Sequence, residues 1–139
     1  MIPHHCIVKH DPPNSYGDCL RACIASMLDV ENISDVPHFL RDGDQERSDK
    51  EIKSFLLSRG LRPFIIAIPG IVTLDSLFYM MAEVNTDIEY MLFCQCGGGD
   101  HVVICKNDEM IHNPAWDNAS ISGPLSEDKV WAVMVFVRA

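Results

Sequence analysis

Apolar positions change their period near the middle of the chain. In the first half, Leu20, Cys23, Ile24, Met27 and Leu28 follow i, i+3, i+4, i+7, i+8, which predicts an amphipathic helix over 19–29. Asp18 stands before it as an N-cap. Ala22, Ala25 and Ser26 are small enough to let that helix approach a sheet closely. Ser48 and Glu51 have capping-box spacing for a second helix over 49–59, which Gly60 ends. Residues 61–68 read as a strand and Pro69-Gly70 as a turn. A third helix over 74–84 opens at Thr73 and buries Leu74, Leu77, Phe78 and Met81.

In the second half the segments 89–95, 101–106, 109–112 and 129–138 are rich in Val, Ile, Tyr and Phe, as strands are. Asn107-Asp108 supplies a tight hairpin turn between two of them. Helices followed by an antiparallel sheet predict an α+β fold. Residues 1–17, rich in Pro, His and Asp, read as an extended arm that ends in the turn Asn14-Ser15-Tyr16-Gly17. Without a repeat, linker or low-complexity tract, 1–139 reads as a single domain.

Composition narrows the function. Of 139 residues, 47% are hydrophobic and 22% charged, enough apolar material for one core. The formal charge of −9 repels phosphate backbones and anionic lipid, so nucleic acid is not an expected partner. Apolar stretches such as 64–68 and 130–137 are too short to span a bilayer, and the N-terminus lacks a signal-peptide core. A cytoplasmic protein is the expectation, and with it reduced thiols. No phosphate-cradling loop or paired-carboxylate pattern calls for a cofactor.

Six cysteines and six histidines are many for so short a chain, and their placement carries the chemistry. Cys19 opens the first predicted helix, where unpaired amides and the helix dipole favour thiolate and can supply part of an oxyanion hole. Gly97-Gly98-Gly99-Asp100-His101 places a histidine at the start of a buried strand beside a bare glycine loop. That arrangement suits a general base with room for substrate, with Gly98 and Gly99 as substrate-binding backbone. One hairpin later, Asn113 precedes Pro114 and can accept an imidazole N–H, with Asp117 as its rival. Trp116 can cover the His–Asn bond or line the cleft. The order Cys, His, Asn is that of a nucleophile, a base and an orienting residue.

The segments YGDCLRACIASML, GGGDHVVICKND and MIHNP resemble the nucleophile, histidine and third-residue motifs of papain-like cysteine peptidases. They are most similar to the leader-peptide peptidase domains of bacteriocin exporters, and DCLRACIASMLDVENISDVPHF also resembles small bacteriophage-encoded proteins. The resemblance covers residues 10–137. It implies a minimal papain-like α+β fold, with N-terminal helices packed on a C-terminal antiparallel sheet, and acyl transfer through a thioester. Cys19 would be the nucleophile, His101 the base, Asn113 the orienting residue and Asn14 the oxyanion donor, acting on a peptide, isopeptide or side-chain amide.

Two other classes stay open. Leu20 stands where those peptidases carry Gly or Trp, and Asn14 where they carry Gln, which fits a non-catalytic interaction module on the same fold. His4, His5, Cys6 and His10, with Cys94 and Cys96 elsewhere, could assemble a zinc module, although neither group has knuckle spacing. A site without metal is the main expectation. Cys94 and Cys96, at i and i+2 of a strand, point to one face. Cys23 reads as core or as a resolving thiol for Cys19, Cys105 as inert core, and Asp42, Asp44, Glu46 and Asp49 as a solvated acidic loop.

Overall fold

A computed structural model describes residues 1–139. In chain order it has α1 (Cys19–Met27), a 3₁₀ turn (Ile33–Asp35), α2 (Gln45–Leu57), β1 (Leu61–Pro69) and α3 (Leu74–Glu83). Five strands follow: β2 (Glu89–Cys96), β3 (Gly99–Lys106), β4 (Glu109–His112), β5 (Ile121–Gly123) and β6 (Val130–Arg138). The class is α+β, three helices and a six-stranded antiparallel sheet, with α1 and α2 preceding every strand. No helix is long and apolar enough to cross a membrane. The chain divides into two compact units, Met1–Phe64 with Phe136–Ala139, and Ile65–Val135.

In the first unit, α1 buries Leu20, Ala22, Cys23, Ile24, Ala25 and Ser26, so the small residues do face packed surroundings. Arg21 fastens the 3₁₀ turn by donating from Nε to the carbonyl of Val36 at 2.8 Å. The second helix starts earlier than Ser48 and Glu51 suggest. Asp44 is its N-cap and accepts from the Arg47 N–H at 3.1 Å, while Ser48 lies buried inside the helix with its hydroxyl unbonded. Either Asp44 or Ser48 can cap by residue type, and Asp44 has the extended backbone that a cap requires. The acidic loop is not merely solvated. Arg47 donates to Asp42 at 2.7 Å, to Glu51 at 2.6 Å and to the carbonyl of Phe39 at 2.6 Å, and Arg41 grips Glu51 bidentately.

The sheet order is β1-β6-β2-β3-β4, with the short β5 paired to β2, and β2 to β5 lie wholly in the second unit. Tyr90 to Leu92 on β2 and Val102 to Cys105 on β3 are buried without alternation, as strands covered on both faces are. Helix α3, capped by Thr73 at Ser76 N–H, lays Leu77 and Met81 onto Tyr90, Leu92, Cys94, Val103, Cys105, Trp131 and Val133. Each such aliphatic side chain contributes about 1.5–3 kcal/mol of transfer free energy when fully buried. The polar ends of the large aromatics are satisfied: the Tyr90 hydroxyl donates to the Asn107 carbonyl and the Trp131 indole N–H to the Val72 carbonyl. Burial pushes the Cys105 thiol up to about 12, which makes it inert at neutral pH.

The glycine run is not a loop. Gly97 (φ 61°) and Gly98 (φ 88°) form the whole β2–β3 turn, and Cys96 pairs with Gly99 as the first rung. Only a residue without Cβ takes both positive φ values cheaply, so this is the two-residue hairpin that a twisted antiparallel pair favours. Gly99 and Asp100 therefore belong to β3, and His101 is its third residue.

The Arg47 hydrogen bonds hold the Asp42 carboxyl at about 2, below the usual carboxylate range. A depressed folded-state value means that the pair's contribution to stability is full above the unfolded value, near about 3.9, and is lost as pH falls through about 2. NMR titration of the Asp42 carboxyl is expected to give a midpoint near 2 in the native chain and one back in the ordinary carboxylate range in Arg47→Ala.

Candidate active site

Cys19 stands in the first unit, and His101 and Asn113 stand in the second. Cys19 is the first residue of α1 and is half-buried, at the end of the helix where the dipole is positive. Asp18 holds the N-cap position of that helix, its carbonyl accepting from the Ala22 amide at 2.9 Å, but its side chain does not cap. Its backbone (φ −108°, ψ 31°) is not the extended conformation of a cap, and its side chain makes no capping bond. It is instead fully buried, and Oδ1 accepts from the amides of Ile7 and Val8 at 3.0 Å each. Its Oδ2 has no hydrogen bond and lies 3.8 Å from Arg21 Nη1. The charge beside Cys19 is thus engaged by two amides and faces a guanidinium.

The same bonds define the arm. Ile2 N–H donates to Asp29 and His4 N–H to the Ser26 hydroxyl, so residues 2–8 run back along α1 from its C-terminal to its N-terminal end. The turn comes earlier than 14–17, at 12–14, and a bridge between Asp11 and Ser15 closes it. Asn14 is exposed on this turn and its amide nitrogen donates to Asp11 Oδ2 at 3.5 Å. The ring nitrogens of the arm histidines serve backbone groups: His4 Nε2 donates to the Val30 carbonyl at 2.6 Å, and His10 Nδ1 accepts from the Gly17 amide at 3.1 Å. No three His, Cys, Asp or Glu side chains are grouped to hold a metal ion.

In the second unit, β3 presents a half-buried His101 directly across from Cys94 of β2, and Asn113 follows the end of β4 in a buried position. The Asn113 amide is fixed from both ends. Its Nδ2 donates to the Ala119 carbonyl at 2.8 Å, and its Oδ1 accepts from the Ala115 amide at 2.9 Å. That orientation turns the carbonyl oxygen toward His101, 2.8 Å from Nε2. An oxygen can only accept, so Nε2 carries the proton and the lone pair of the neutral ring resides on Nδ1. Asn113 rather than Asp117 therefore sets the tautomer. Asp117 Oδ1 accepts from the Ala119 amide at 3.2 Å.

Beside this pair opens a cavity of about 100 Å³, lined by Cys96, Gly99, Asp100, His101, Ala115, Asp117 and Ala119. Gly99 belongs to its wall, whereas Gly98 sits on the hairpin turn and Trp116 is 74% exposed outside the wall. Asp100 holds the segment after β5 by accepting from both the amide and the hydroxyl of Ser126 at 2.9 Å. Ala115 and Ala119 were not legible as site residues, because their roles come from backbone groups that only the folded loop brings together, and Asp100 was not because its partner Ser126 lies 26 positions away.

Two outcomes check these placements. In ring-¹⁵N NMR, His101 is expected as the Nε2–H tautomer in the native chain, with both tautomers appearing in Asn113→Ala. In Asp18→Ala, the loss of a charged acceptor worth about 1.5–3 kcal/mol is expected to speed amide exchange at Ile7 and Val8 by roughly ten- to a hundredfold. Set against known proteins, the chain matches no protein-family model, no curated protein and no solved structure.

Proposed function

We propose that the chain is a cysteine-dependent hydrolase of amide bonds, with Cys19 as nucleophile, His101 as base and Asn113 as the orienting residue. The observation that carries this reading is the locked Asn113 amide, which leaves Nδ1 of His101 as the proton acceptor. A general base needs one fixed tautomer and a ring that does not rotate, and this contact supplies both. Support at the nucleophile comes from its position. At the first residue of α1, a developing thiolate meets the positive end of the helix.

In the proposed reaction the Cys19 sulfur attacks the carbonyl carbon of a peptide, isopeptide or side-chain amide while His101 Nδ1 takes the thiol proton. First-turn amides of α1 stabilise the oxyanion. The proton on Nδ1 then passes to the leaving amine as the tetrahedral species collapses to a thioester. Water, activated by the same nitrogen, hydrolyses the thioester and restores the thiol. The exposed Asn14, with its amide on Asp11, is the oxyanion donor with the least support, so backbone amides take that part.

The test is the pH profile of Cys19 alkylation by iodoacetamide, mapped by mass spectrometry. At pH 6 an ordinary thiol is about 0.3% thiolate. A paired thiolate gains about a hundredfold in population and loses about tenfold in intrinsic nucleophilicity. Cys19 is therefore expected to react roughly tenfold faster than a free thiol at pH 6, and to lose that advantage in His101→Ala. A rate equal to that of a free thiol in both proteins would overturn the reading in favour of a non-catalytic module.

A further inference from the structure

The wall of the His101 cavity contains a second thiol that the proposed mechanism does not use. Cys96 and Cys94 lie on one face of β2 with their sulfurs 3.9 Å apart. Residues i and i+2 of a strand have Cα atoms about 6.6 Å apart, just inside the range that a disulfide spans. The register between β2 and β5 shifts at Gln95 and Cys96, with the extra residue, Ser122, on β5, while β2 keeps an unbroken ladder with β3 through both cysteines. The two differ in access: Cys94 is fully buried, whereas Cys96 is half-buried and lines the cavity.

We propose that Cys94 and Cys96 form a peroxide-oxidisable dithiol, in which Cys96 reacts first with a small hydroperoxide in the cavity and Cys94 then closes the disulfide. The cavity, about 100 Å³, has room for a few water-sized molecules, enough to bring hydrogen peroxide to the Cys96 sulfur. In the first step the Cys96 sulfur attacks the peroxide, the O–O bond breaks, and the product oxygen leaves as water or alcohol, with a sulfenic acid on Cys96. In the second step Cys94 sulfur attacks Cys96 sulfur, the S–O bond breaks, and hydroxide leaves with the Cys94 proton as water. The two thiols give up two electrons, and the hydroperoxide takes both.

The neighbouring groups agree with this order. A hydrogen bond from Cys94 lowers the Cys96 thiol below its ordinary range, against smaller opposing effects of burial and of the Asp117 carboxylate. Cys105, the third cysteine of this unit, is fully buried and held as thiol up to about 12. Because Cys94 pairs with His101 across the β2–β3 ladder and Cys96 lines the same cavity, the oxidation would act on the wall beside the imidazole. It uses neither Cys19 nor amide hydrolysis, so it stands or falls separately from the proposed function.

The experiment treats the reduced full-length chain with hydrogen peroxide, removes the peroxide, blocks remaining thiols with iodoacetamide in denaturant and maps all six cysteines by mass spectrometry. Cys94 and Cys96 are expected to lose alkylation together, with Cys105 unchanged, and both are expected to return after dithiothreitol. In Cys94→Ser, Cys96 is expected to accumulate sulfenic acid that dimedone traps. Oxygen uptake at native Cys96 without a bond to Cys94, retention of both thiols, or a bridge such as Cys19–Cys23 instead would overturn the proposal.

Discussion

The amide of Asn113 is gripped at both ends by the chain that follows it, and the imidazole chemistry of the second unit depends on that grip. Were the amide free to flip, His101 could meet either a donor or an acceptor, and the proton would have no assigned nitrogen. With Ala115 N–H on Oδ1 and the Ala119 carbonyl on Nδ2, the flip would replace two hydrogen bonds with two repulsions. The tautomer of a ring on β3 is thus decided by the loop after β4. The sheet supports this arrangement from below: β2 and β3 are buried on both faces, and the two-glycine turn holds them in register to the last rung at Cys96 and Gly99.

A second long-range device organises the first unit. Asp18 sits next to the proposed nucleophile, where an unengaged carboxylate would work against a thiolate. Its burial against the Ile7 and Val8 amides and the Arg21 guanidinium turns it into the anchor of the arm. The histidines of the arm follow the same logic. His4 and His10 lend ring nitrogens to backbone groups that lie outside any helix or strand, a structural part for two members of a cluster that composition alone connects with metal.

What was legible in the sequence follows from the range of the interactions involved. Helix α3 was readable because Thr73, Leu74, Leu77 and Met81 act within a few residues of one another, and the hairpin at Asn107-Asp108 for the same reason. Strands β2 and β3 were readable by type, since continuous Val, Ile and aromatic runs suit burial on both faces, whereas the apolar run of β1 formed a strand with Phe64, Ile65 and Ile66 exposed. The start of α2 was misplaced because Asp44 and Ser48 are both competent caps by residue type and only backbone conformation separates them. Asp18 was placed at the N-cap as the structure has it, but its side chain was misread as capping because its partners lie ten and eleven positions upstream. Strand β5 was missed: three residues paired across a bulge leave no period to detect. At the site, Asn113 stood out through Pro114 and its distance from His101, but the backbone groups that orient its amide did not.

The central proposal is that His101 serves as base to Cys19, and the most direct measurement is the ring-¹⁵N spectrum of His101 before and after carboxymethylation of Cys19. The account predicts a change confined to Nδ1, with Nε2 still bonded to Asn113. An unchanged His101 ring, in a protein whose Cys19 is fully modified, would contradict it.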